Sequence, residues 1–257
     1  MKNIIQTSLT PNLLDFLTQK GILARNLLGA IEHVDNLKLY VDNLENPTGV
    51  IGHEDYFYYV VSDNASFIEE MMTTFFTKDG YYGFSGISRP LAETILTKDV
   101  QEHWRHDCYL YSLPRDLDLP SLDPRIESLT LDDLKEVHYY YEYQSDTSMG
   151  DIKEDILKRP SACIRVNGEL AAWVLVHRDD TMGIMYTKET YRKQDLAYHT
   201  AIGLMHKLHD LGKTPYVQIH TSNNASQGLV RKLGLIKADP IVTWFGIVVG
   251  DLPLDDD

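Results

Sequence analysis

The sequence predicts a mixed α/β protein in which hairpin-paired strands are flanked by helices. It divides into two halves joined by a proline-rich connection. Three observations predict this. Asn167-Gly168 stands between two apolar runs, and Asn-Gly in that setting is the strongest short hairpin signal. From residue 182 onward, short apolar runs alternate with stretches of helical period. Pro114, Pro120 and Pro124 crowd into one short stretch, which favours extended backbone and a connection.

In chain order, the first half shows helix signals over 11–30 and 65–76. The second opens at Asn64 or Ser66 and carries Phe67, Met71 and Phe75 at helical spacing. Runs rich in Tyr, Phe and Val at 37–42, 55–62 and 107–113 read as strands. We assign 1–113 to a mixed α/β domain, 114–125 to the connection, 126–250 to a second domain and 251–257 to an acidic tail. In the second domain, helices start near Thr130 and Asp151. Strands follow at 162–166 and 170–177, then, past a turn at Asp179-Asp180, at 182–187. The longest helix is expected over 196–211, where Leu196, Thr200, Leu204 and Leu208 form one stripe and Gly212 closes it. A strand at 216–220, a short helix at 225–233 and an apolar strand or strand pair at 241–249 complete the chain.

Composition narrows the function classes. A net charge of -14 repels polyphosphate backbones and argues against a nucleic-acid partner. It suits a cationic acceptor, and equally a merely soluble acidic protein. Cys108 and Cys163 are too few for a disulfide framework. No run reaches the roughly 18 apolar residues of a membrane span, so we expect no membrane partner and a cytoplasmic location. His103 with His106, and His206 with His209, have no convincing Cys or carboxylate cluster with them, so no metal is expected. Gly83-Phe-Ser85-Gly86 lacks the spacing of a nucleophile elbow.

The informative segment is the loop Thr187-Lys-Glu-Thr-Tyr191-Arg192-Lys193-Gln194-Asp195-Leu196-Ala197 between a strand and the long helix. A helix start presents unpaired backbone N–H groups and the positive end of the dipole, a natural pyrophosphate cradle. Arg192 and Lys193 add cations. Further on, Asn223-Asn-Ala225-Ser226 leads into a short helix ending Arg231-Lys-Leu233-Gly234-Leu235. Loop, helix, Asn and Leu-Gly, in this order and spacing, resemble the GNAT (general N-acetyltransferase) superfamily over roughly 125–250. Gly168-Glu-Leu170-Ala-Ala-Trp173, Tyr186-Thr187 and Tyr191-Arg192 look like its glycine N-acyltransferase-like branch.

The resemblance implies a GNAT-like, mostly antiparallel sheet splayed between strands 182–187 and 216–220, with the first half a degenerate GNAT-like domain. It implies acetyl-CoA or another acyl-CoA as co-substrate, held by Met185, Tyr186, Thr187, Arg192, Lys193, Gln194, Asp195, Leu196, Ala197, Asn223 and Ser226. The activity implied is N-acyl transfer to a small amine or amino-acid-like acceptor by a monomer or homodimer. A backbone N–H near Met185 or Tyr186 would polarise the thioester carbonyl.

The sequence departs from the family pattern in three ways. Asp195 replaces the loop glycine, either adding charge toward phosphates or capping the helix. Val230 stands where relatives carry a tyrosine acid, and strand 182–187 lacks their glutamate base. His220 is then the first candidate base, since histidine titrates in the useful range, with Tyr186 and Asp180 as further candidates. Tyr139, Tyr140, Tyr141 and Tyr143, with Glu142, could line an acceptor site or simply pack as a helix. The departures leave open a second reading, a non-catalytic relative that binds acyl-CoA or a protein partner.

Overall fold

The computed structural model describes residues 4–114 and 116–253. Residues 254–257 of the acidic tail, and Arg115 in the connection, lie outside the described residues. The chain forms two compact units. One runs up to Leu110 and resumes at Ala238; the other is Tyr111–Lys237.

In the first unit, the expected helix 11–30 is two: α1 (Pro11–Gln19) and α2 (Arg25–His33), with a 3-10 turn between them. Gly21, at φ 60, sits at the break, a conformation that costs glycine little. Thr10 caps α1 by accepting from the Leu13 amide. The strands are β1 (Ile5–Thr7), β2 (Lys38–Val41), β3 (Gly49–Glu54), β4 (Phe57–Ser62), β5 (Gly80–Ser88) and β6 (Gln101–Ser112), with helices α3 (Ala65–Phe75) and α4 (Arg89–Leu96). The last strand of the chain, β11 (Ile236–Val249), lies between β5 and β6. β4 and β5 run parallel; β1–β4 pair antiparallel in sequence order, as does β11 with β5.

Both faces of this sheet are covered. Val50, Tyr59 and Val61 pack with Leu13, Leu17 and Leu27 of α1 and α2. Their chain neighbours Ile51, Tyr58 and Val60 pack on the opposite side with Phe67, Met71, Leu91 and Ile95 of α3 and α4. Strands buried on both faces read as continuous apolar runs, and 57–61 is such a run. Phe245 of β11 stacks on Phe84 of β5 with ring centroids 4.6 Å apart.

The second unit contains α5 (Leu134–Tyr139), α6 (Ser148–Lys158), β7 (Ser161–Val166), β8 (Glu169–Val176), β9 (Met182–Thr187), α7 (Leu196–Asp210), β10 (Tyr216–His220) and α8 (Asn224–Lys232). β7, β8 and β9 form an antiparallel sheet. At the first turn Asn167 and Gly168 both have positive φ, 53° and 83°, as the predicted two-residue hairpin requires. One face carries α5 and α6, through Val137, Ile152 and Ile156 on Cys163, Trp173 and Leu175. The other face carries the start of α7, through Leu196 on Ile164, Ala171 and Ala172.

A capping box opens the helical segment at Thr130, closed by Asp133. Asp133 Oδ2 also accepts from Arg165 Nη2 at 2.7 Å. Burial pushes this carboxyl up, but the Arg165 and Thr130 hydrogen bonds outweigh it and hold it below the usual 3.8. A depressed folded-state value stabilises above the unfolded-state pKa and is lost as pH falls. Stability should therefore decline as pH falls from about 5 through the ordinary carboxylate range and below it, and less steeply in Arg165→Gln, as read by urea unfolding at each pH.

Candidate functional site

β9 and β10 are neighbours but share no ladder: among the described residues β9 pairs only with β8, and β10 is not a strand of that sheet. The expected splay therefore exists, and it exposes one edge of β9. Residues Gly183–Thr187 are half-buried, whereas Leu170–Val176 of β8 are all buried. β9 also carries a bulge. Between its pairs Trp173↔Tyr186 and Leu175↔Gly183 it has one more residue than β8, and Ile184 takes φ 46. A bulge re-aims backbone groups and leaves the extra residue unpaired in the ladder. Met185 lies in this bulge, next to the splay.

At the end of β9, the Thr187 hydroxyl is buried without a hydrogen bond among the described residues, an orphan that needs a partner. The chain then turns through a short 3-10 segment (Glu189–Tyr191) into α7. Lys193 and Asp195 both have left-handed backbone, φ 62 and 56. Asp195 thus takes a conformation suited to glycine. The side-chain cap that Asp195 offered in the sequence is not made. Its Oδ1 instead accepts from Lys232 Nζ of α8 at 2.7 Å, and that bond and charge hold the carboxyl below its ordinary range. The first-turn amides at Leu196 and Ala197 are left without a side-chain acceptor from Asp195.

Arg192, Lys193 and Gln194 are exposed beside this helix start. Arg192 Nε donates to the Thr187 carbonyl at 3.3 Å, and its guanidinium lies 5.8 Å from the Tyr186 ring centre. Lys232 Nζ also sits 4.7 Å from the Tyr198 ring centre. The cations are thus gathered at one end of the β9–α7 junction. Asn223 caps α8, accepting from the Ser226 amide at 3.0 Å. Val230 is buried.

The three proton-transfer candidates are not brought together. Tyr186 is stacked on Tyr140, centroids 4.5 Å apart, and leans on Trp173 at 5.3 Å. Asp180 lies in the turn before β9, held by both oxygens to Lys213 Nζ at 2.8 and 3.1 Å. His220 ends β10, with Nδ1 2.6 Å from Ser222 Oγ. Of the tyrosine run, Tyr140 and Tyr141 pack against the α5–α6 core, while Tyr139 and Tyr143 are exposed.

Sequence reasoning missed a charged group on this face. His177, just past β8, places Nδ1 3.0 Å from Asp155 Oδ2 of α6. Asp155 Oδ1 accepts from Arg159 Nε at 3.0 Å. Asp155 and Arg159 are both buried. Their spacing of four on a helix was the only available signal, and such pairs are common on exposed helices.

Residues 162–244 match the family profile described as FR47-like protein. No curated protein is significantly similar to the chain. Among solved structures, a Drosophila protein superposes with a TM-score of 0.76 at 16% identity, over 95% of this chain and 98% of that one. A tandem GNAT protein from the clavulanic acid biosynthesis pathway gives 0.57 at 12% identity, over 97% and 100%. A GCN5-related N-acetyltransferase-like protein from Streptococcus suis gives 0.55 at 15%, over 91% and 96%. By these superpositions the chain adopts the GNAT fold over nearly its whole length.

Proposed function

We propose that the chain is an acyl-CoA-dependent N-acyltransferase, with acetyl-CoA the first donor to test and a small primary amine the acceptor. The observation that carries this is the open edge of β9 leading to a helix start that Asp195 does not cap. An extended pantetheine arm can pair with an unpaired strand edge. A diphosphate suits free first-turn amides with Arg192 and Lys193 beside them. The buried, unpartnered Thr187 hydroxyl fits a polar ligand at the junction, and Gln194, Leu196, Ala197 and Ser226 flank the same path. The amide at Met185 or Tyr186, re-aimed by the bulge, is the donor for the thioester oxygen. The first unit is read as a degenerate GNAT-like half.

Calorimetry with acetyl-CoA, followed by thiol release over a panel of amino acids and simple primary amines, tests the proposal. Binding with turnover supports it, and absence of binding overturns it. A specific observation favours one other reading: buried Val230 cannot protonate a departing thiolate, as the family's tyrosine can. Binding without turnover on any amine would favour that reading, a non-catalytic acyl-CoA binder.

Asp195→Gly is expected to tighten coenzyme A binding about fivefold, because it removes a like charge beside the diphosphate. It also frees Lys232 for phosphate. Titration with coenzyme A checks this; unchanged affinity would show that the carboxylate does not face the diphosphate.

A further inference from the structure

We propose that His177 is the base of the acyl transfer and that Asp155 is its positioning residue; this rests on the transferase reading above.

The argument begins at Gly183, one residue before the bulge in β9. A Cβ at Gly183 would lie 2.4 Å from His177 Nε2. The absent side chain therefore makes room for the imidazole directly over the strand. Leu175 pairs with Gly183 and lies on the α5–α6 face. His177, two residues further along, shares that face by strand alternation and meets α6 there.

The ring is held as a base requires. The Asp155 carboxylate accepts from Nδ1–H, which leaves the lone pair on Nε2, the atom over β9. Asp155 is fixed in turn by Arg159. Base, orienting carboxylate and a fixed second contact are the general pattern of an activated proton acceptor. The His177 side chain is 29% exposed, against 4% for Asp155, so the ring can reach a ligand while its support stays dry. Charged groups facing it are Asp155 of α6, Arg159 just past the end of that helix, and Asp179 of its own turn. Burial opposes the charged ring, but the hydrogen bond and charge of Asp155, with Asp179 adding, outweigh it and raise its pKa above 6.5.

In the reaction, Nε2 takes one proton from the acceptor's ammonium group and later releases it to solvent. The freed nitrogen pair forms the C–N bond. The C–S bond breaks with its pair on sulfur, and a second nitrogen proton goes to that sulfur. The products are an amide, the coenzyme A thiol and one proton.

The test uses the full chain, acetyl-CoA and the same amine panel. His177→Gln is expected to lower kcat about a hundredfold, the lower range for a general base, with acetyl-CoA affinity by calorimetry unchanged. His177→Gly should regain activity with added imidazole. Asp155→Asn should move the acidic limb of the kcat/KM profile to lower pH, because the groups that raise the ring's pKa are weakened. Should these variants fail to fold, the wild-type limb decides: it must coincide with the His177 titration followed by NMR. Wild-type turnover with full kcat in His177→Gln, or a limb at another pH, overturns the inference and leaves the transferase reading intact. A wild type that neither binds acetyl-CoA nor turns over overturns both.

Discussion

Arg159→Ala is expected to lower the free energy of unfolding by about 3–5 kcal/mol, the usual loss when one partner of a buried ion pair is removed. The Arg159 side chain is 2% exposed and that of Asp155 4%. Truncation would leave Asp155 charged in a site that water barely reaches. The pair itself is not a source of large net stability. Arg159 Nη1 is buried without a hydrogen bond among the described residues, so the desolvation of the guanidinium is only partly offset. The double variant Asp155→Leu/Arg159→Met should therefore recover most of the lost stability, as apolar replacements of buried ion pairs often do. Urea denaturation of the single and double variants checks both statements. A single variant that loses under about 1 kcal/mol would place the pair with exposed ion pairs instead.

Trp173→Ala should cost a similar amount, about 3–5 kcal/mol. Trp173 heads the fully buried large side chains. It supports Tyr140 and Tyr186, with centroids 5.7 and 5.3 Å away, and Tyr186 is the residue immediately after the bulge segment. The cavity would open behind β9, so acyl-CoA affinity should fall along with stability. Trp173→Phe should be much milder, below about 1.5 kcal/mol, because the indole Nε1 is buried with no partner among the described residues and its removal deletes an unsatisfied donor. Thermal unfolding of the two variants separates the cost of lost volume from the relief of an unsatisfied donor.

The parts of the fold legible in the sequence were those with local causes. Asn167-Gly168 specified its hairpin because both positions need positive φ, and the α7 stripe specified its buried face. The splay between β9 and β10 was read from a resemblance, and the structure has it. Other features depend on tertiary context. The break at Gly21 lies inside a continuous helical pattern. β5 and α4 escaped notice because Gly80, Gly83 and Gly86 read as loop, although Gly83 is paired in the sheet with Tyr56 packed over it. The role of the Asp195 side chain was undecidable from local sequence, since its partner Lys232 lies 37 residues away. His177 read as the end of a strand because nothing near it in sequence announces Asp155.

The late return of β11 has a consequence for how the protein is made. β11 lies between β5 and β6 in the sheet of the first unit, yet all of Tyr111–Lys237 is translated before most of it. At about 5–20 residues per second, the emerging polypeptide waits on the order of ten seconds with Phe84 uncovered by Phe245 and with open edges on both flanking strands. Such edges invite intermolecular pairing. A ribosome stalled short of residue 236 should thus carry a nascent chain that chaperones hold, and release should depend on these last strand residues rather than on completion of the unit between.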